Sequence, residues 1–242
     1  MSFLINPFLA APAYVVPYSV TITGGDYLTR TPGSAGTRTT FTISFWYKRL
    51  STGNEVIISA GTTNVDAVDF SGADKLHTTI AADKQQTTTA TYTDTTNWHH
   101  IVFAVDTTNG TAGDRARLYH DGVEVTAFDS ESNPGLNDVD NFMNNVRHAI
   151  GVDTFDLSSS PADIRIAEFH LIDGSQLTAA SFGATVGASW KPIEFLGPWG
   201  TQGSYLEFAN SAALGTDSSG NGNNWTVSGL VAGDQSTDTP SP

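Results

Sequence analysis

A chain of 242 residues with 39% hydrophobic side chains can bury one sizeable core, and its many glycines, prolines and threonines favour strands and turns over helices. Eleven basic residues against 25 acidic ones give a formal charge of −14, which repels phosphate backbones and anionic lipid headgroups and excludes nucleic acid as a natural partner. The absence of cysteine removes disulfide frameworks and thiolate metal sites, and suits folding in a reducing cytosol.

Residues 1–17 read MSFLINPFLAAPAYVVP. They lack a basic n-region, and Pro7, Pro12 and Pro17 interrupt any helix long enough for a signal peptide or membrane span, so neither secretion by a cleaved signal nor membrane insertion is expected. Phe3, Leu4, Ile5, Phe8 and Leu9 are costly to leave in water; the segment is expected to be a docking arm along its own domain or a partner subunit.

From Thr40 to Lys48 the sequence alternates. Phe41, Ile43, Phe45 and Tyr47 share one face and Thr42, Ser44, Trp46 and Lys48 the other, the pattern of a half-buried strand. Shorter strands are predicted at Val56–Ser59 and Leu76–Ala81, and an exposed strand and loop in the threonine-rich stretch 85–97. Trp98 opens a central strand to Val105, with Ile101, Phe103 and Val105 on one face and Trp98 anchoring the core. Asp121-Gly122, between 115–120 and 123–128, predicts a type I′ hairpin. A long acidic loop, 129–147, follows, then strands at 149–152 and 164–172 and a helical turn at 178–183. After Pro198 the chain is rich in glycine, serine and asparagine, with short β pieces at 205–208 and 224–227 that are not expected to be stable alone.

Three stretches together resemble the laminin-G/pentraxin/concanavalin-A-like jelly-roll family: SVTITGGDYL leading to FTISFWYKR, NWHHIVFAVD followed by RLYHDGVEV, and IGVDTF leading to DIRIAEFHLIDGSQLTAASFG. The resemblance covers about residues 18–183. It implies an all-β, antiparallel two-sheet sandwich at 18–200, preceded by the extended arm at 1–17 and followed by a C-terminal extension at 201–242. The later stretch YLEFANSAALGTDSSGNGNNWTVSGLVAGDQSTDTP resembles a segment that recurs after such domains in structural proteins of tailed phages. That resemblance implies a virion-surface protein made in the host cytoplasm, a capsid decoration or a short fibre or spike component, with other virion proteins as partners and homo-oligomer formation. The alternative is a carbohydrate-binding adhesin module recognising a host surface glycan.

No catalytic constellation is legible. The glucanases that share this sandwich use a Glu-x-Asp-x-Glu strand, and at Trp190-Lys191-Pro192-Ile193-Glu194 only Glu194 remains. Asp163 and Glu168 lie five apart on a strand and so are expected on opposite faces. The protein is therefore expected to be non-enzymatic and to require no cofactor. The six histidines show no ligand spacing, and zinc is not expected. Calcium is the better metal reading, at Asp217, Asn221 and Asn223, where oxygen-bearing side chains surround flexible glycines, although the same residues are ordinary turn formers. Asp138, Asp140, Asp153 and Asp156 offer a second acidic rim. For glycan binding the sequence offers Trp46, on the polar face of its strand, as an aromatic platform; burial under the arm or a neighbouring subunit would explain that residue equally.

Overall fold

The computed structural model describes residues 14–81 and 83–240; Phe3, Leu4, Ile5, Phe8 and Leu9 of the expected docking arm lie outside them. The strands in chain order are β1 (Ser19–Ile22), β2 (Tyr27–Arg30), β3 (Thr40–Arg49), β4 (Glu55–Ala60), β5 (Asp66–Phe70), β6 (Lys75–Ile80), β7 (Lys84–Thr91), β8 (His99–Asp106) and β9 (Ala116–His120). They continue with β10 (Val123–Glu124), β11 (Phe128–Glu131), β12 (His148–Ile150), β13 (Ile164–Asp173), β14 (Gly183–Val186), β15 (Ser189–Pro192), β16 (Ser204–Leu206), β17 (Thr226–Ser228) and β18 (Gln235–Ser236). Among the described residues the only helices are short 3-10 turns such as Ala179–Ser181, and none is long and apolar enough to cross a membrane.

Two large antiparallel sheets form the expected jelly-roll sandwich. One runs β10-β9-β8-β3-β13-β1-β18, with β16 also on β13; the other runs β11-β7-β6-β5-β4-β12-β2-β17. The alternation in β3 and β8 sends Phe41, Ile43, Phe45, Ile101, Phe103 and Val105 between the sheets, where they meet Ile58, Val68, Phe70 and Leu76 of the opposite layer. Asp121 and Gly122 take φ values of 47° and 82°, the left-handed pair that a type I′ turn requires. The second arm of that hairpin is shorter than expected: only Val123 and Glu124 pair with β9, and the chain then crosses to the other sheet as β11. Residues 204–236 are built into the sandwich, because β16, β17 and β18 pair with β13, β2 and β1. Leu206, Phe208, Leu214 and Trp225 enter the same core.

One departure from the sequence reading shapes the rest of the molecule. The outer face of β3 is not solvated: Thr42, Ser44 and Trp46 are as buried as the core face. Tyr14 and Val16 cover Trp46 and Ala167, while Leu177, Phe182, Trp190, Phe195 and Trp199 cover Val102, Ala104 and Ile172. The segment after β13 thus lays a third layer over the first sheet. Small polar groups on that face survive burial because each is hydrogen-bonded, as Thr42 Oγ1 is to the carbonyl of Ser175 and the N–H of Leu177.

Candidate functional site

Over the outer face of β3 and β8 the covering layer leaves a cleft of about 350 Å³ lined by Trp46, Lys48, Asn97, Trp98, Trp190 and Asp238, among others. Trp190 lies on β15 and is held from three sides. A Cβ on Gly122 or Gly183 would come within 2.4 Å of its ring, so both positions need glycine to give the indole room. Its Nε1–H donates to His100 Nδ1 at 3.1 Å. Trp98, at the start of β8, donates its indole N–H to Asp238 Oδ1 at 2.9 Å, and Lys48 pairs with Asp238 Oδ2 at 3.0 Å. Arg165 completes the set of partners on that carboxylate. Burial pushes the Asp238 carboxyl up, but the Trp98 and Lys48 hydrogen bonds and the two cations outweigh it and hold the group below its ordinary value.

Trp46, the platform expected from the sequence, is 3% exposed. Its strand neighbours on the outer face, His100 and Ala167, are covered with it, and its ring stacks on His100 at 4.7 Å. It therefore lines the cleft floor without presenting an exposed face, which departs from the platform reading and agrees with the alternative of burial under residues 1–17, whose Tyr14 and Val16 pack on it. Trp98 is corrected in the opposite sense: it is half-buried at the rim rather than in the core. The aromatic surfaces of the cleft are Trp98 and Trp190. Alternation along its strand puts Trp98 on the face opposite Ile101, Phe103 and Val105, whereas the position of Trp190 depends on the return of the chain after β13 over its own sheet.

A second cluster lies at one end of the core face of the same sheet. Ile101 pairs with His120 across β8 and β9, so His99, two residues earlier, shares its face and stands diagonal to it. His99 Nδ1 lies 2.7 Å and His120 Nδ1 3.5 Å from Asp121 Oδ2. Asp121 Oδ1 accepts the backbone N–H of His100, and Tyr47 Oη is 2.9 Å from His120 Nε2. The hydrogen bond to Asp121 raises the His99 imidazole above its ordinary value, while burial lowers His120 to about 4. Spacing along the chain does not reveal this juxtaposition, which the β8–β9 register makes.

Asp217, Asn221 and Asn223 do meet, in a loop knit by its own hydrogen bonds. Asp217 accepts the backbone N–H groups of Tyr205, Ser219 and Asn223 and the Ser219 hydroxyl. Asn221 and Asn223 turn their amide N–H groups to carbonyls of residues 200–203, which ties the loop to the segment before β16. Among the acidic rim residues, Asp138, Asp153 and Asp156 accept backbone N–H groups of their own turns. Asp140 is buried, and burial and the neighbouring Asp66 carboxylate push it well above the ordinary range. Glu168 sits in a β-bulge at φ 49°, buried between the hydroxyls of Tyr14 and Tyr205, each donating at 2.8 Å.

The family profile described as the Concanavalin A-like lectin/glucanases superfamily, Laminin_G_3, matches residues 23–181. No curated protein matches the chain. Among solved structures, a candidate carbohydrate-binding protein of Bacteroides ovatus superposes with a TM-score of 0.66 at 15% identity, over 95% of this chain and 62% of that one. The chain therefore spans less than two thirds of that relative. The native heptameric SAP-like pentraxin of Limulus polyphemus superposes with a TM-score of 0.51 at 13% identity, over 69% of this chain and 80% of that one. These likenesses show the fold. None bears on the expected place in a virion.

Proposed function

The chain belongs to the Concanavalin A-like lectin/glucanases superfamily, and from that premise we propose that it is a non-catalytic carbohydrate-binding domain whose sugar seat is the cleft between Trp98 and Trp190. The observation that carries the reading is the cleft itself: two half-buried indoles framing a polar-walled hollow. A pyranose ring offers patches of C–H that pack on an indole face and a rim of hydroxyls that need donors and acceptors. An aromatic body with a polar edge meets both needs. Lys48, Asn97 and Asp238 supply the polar edge, and the Trp98–Asp238 hydrogen bond fixes the indole before any ligand arrives. The Bacteroides ovatus relative, itself a candidate carbohydrate-binding protein, supports the same class of ligand.

The non-catalytic part of the reading rests on the carboxylates. Glu168 is enclosed by two tyrosine hydroxyls, and Asp163 instead accepts the N–H of Gly24 at an exposed edge. A retaining or inverting pair needs two carboxyl groups flanking one bond, and these two serve separate surroundings.

The test is a soluble glycan panel against the full chain, followed by calorimetric titration of the best ligand. Trp98→Ala is expected to weaken binding by about tenfold or more, since one good stacking and hydrogen-bonding aromatic is worth more than about 1.4 kcal/mol. Saturable binding that Trp98→Ala leaves unchanged would move the site elsewhere; no binding to any glycan would remove the reading.

A further inference from the structure

We propose that His99, His120 and Asp121 form a binding site for a divalent transition metal of the zinc class, with a fourth position open to the hollow lined by Tyr92, Thr93 and Asp94. One ligand atom from each of the three residues lies within 4.8 Å of the others. Two ligands at tetrahedral angle on zinc, each about 2.0–2.1 Å from it, stand about 3.3 Å apart. His120 Nδ1 and Asp121 Oδ2 are already near that separation at 3.5 Å, and His99 Nδ1 needs a small opening from 2.7 Å. Two imidazoles and one carboxylate are the donor set of open zinc sites rather than of calcium, which takes oxygens.

The outer partners agree with this assignment. A metal-bound imidazole is oriented by a hydrogen bond from its other nitrogen. His120 Nε2 lies 2.9 Å from Tyr47 Oη, and His99 Nε2 lies 3.4 Å from Asp94 Oδ2. With the His120 Nε2–H donated to Tyr47, the Nδ1 lone pair faces the carboxylate, a contact that a cation between them makes favourable. The His100 backbone N–H occupies Asp121 Oδ1 and leaves Oδ2 for the metal. Rigid elements hold all three ligands: His99 begins β8, His120 ends β9, and Asp121 is fixed in the type I′ turn. A hollow of about 290 Å³, walled by Tyr47, Tyr92, Asp94, His99 and His120, gives the ion an entry path and room for a water or an exogenous oxygen ligand in the open position. This site is separate from the Trp98–Trp190 cleft and stands or falls independently of glycan binding.

Chelator-treated full chain without an affinity tag, titrated with Zn²⁺ by calorimetry and with Co²⁺ by visible absorption, tests the site. One Zn²⁺ per chain is expected, with the intense Co²⁺ bands of a four-coordinate ion. His99→Gln and His120→Gln are each expected to weaken binding by about tenfold or more, a scale that outer-sphere changes already reach. His77→Gln, at the unrelated pair with Asp69, is expected to leave binding unchanged. Asp121→Asn, which tolerates the turn's positive φ, is read alongside circular dichroism as the variant that keeps the fold. Absence of Zn²⁺ binding, binding indifferent to the His99 and His120 changes, or loss on His77→Gln would overturn the site.

Discussion

Replacing Arg49 with methionine is expected to destabilise the protein by about 3–5 kcal/mol, the cost of leaving a buried charge without its partner. Arg49 is fully buried, and its guanidinium is used on every side. Nε donates to Glu55 Oε2 at 2.8 Å, Nη1 to Asp74 Oδ1 at 2.9 Å and to the Tyr92 carbonyl at 2.6 Å, and Nη2 to the Gly53 carbonyl at 3.1 Å. Its Cζ also lies 4.3 Å from the centre of the Phe70 ring. Methionine restores the volume and none of the charge, so Glu55, itself buried, loses its counter-ion. Urea unfolding of the single variant and of Arg49→Met/Glu55→Leu checks the cause. The double variant is expected to recover part of the loss, because it removes both buried charges; a double variant less stable than the single one would locate the cost in packing. The same substitution frees the Tyr92 carbonyl and so loosens the wall of the hollow beside His120.

Lowering the pH from about 7 to about 4 is expected to cost about 3 kcal/mol through His100 alone. Burial drives its imidazole down to about 3 from the ordinary 6.5. The hydrogen bonds agree on the neutral ring. The indole N–H of Trp190 can only donate, so it meets a lone pair on Nδ1 at 3.1 Å, which leaves Nε2–H to donate to Ser44 Oγ at 2.9 Å. Between these two pKa values the unfolded chain binds a proton that the folded chain refuses. The stabilisation is therefore complete above about pH 6.5 and is lost as the pH falls towards about 3. Urea unfolding of the wild-type protein and His100→Gln over this range isolates the contribution, since the other titrating groups are common to both. The variant is expected to show the shallower fall; parallel curves would mean that His100 is not held neutral.

The hairpin at Asp121-Gly122 was legible residue by residue, because the backbone angles of the turn demand those residue types locally. The strands β3 and β8 were legible because a period of two separates faces without reference to partners. Trp46 shows where that reasoning stopped. Alternation assigned it correctly to the face opposite Phe45, but whether that face meets water depends on residues distant in sequence: Tyr14 and Val16 before the strand and Trp98 and Trp190 after it. Trp190 comes from a segment whose own sequence marks only turns, and its seat is made by two glycines, Gly122 and Gly183, on separate strands' ends. The histidine pair was missed for a related reason: His99 and His120 are 21 positions apart, and only the β8–β9 register puts them on one face.

Local chemistry in the chain thus determined the all-β class, the main strands, the type I′ turn and the acidic, cysteine-free character, since each follows from neighbouring residues and their backbone preferences. Tertiary structure decided the rest: which sheet face is covered, which tryptophans border the cleft, that Asp217 and its asparagines close a loop upon themselves, and that His99, His120 and Asp121 converge. These depend on strand register and on the return of the chain after β13 over its own sheet. Burial and long-range hydrogen bonds are properties of pairs distant in sequence, and no local pattern encodes them.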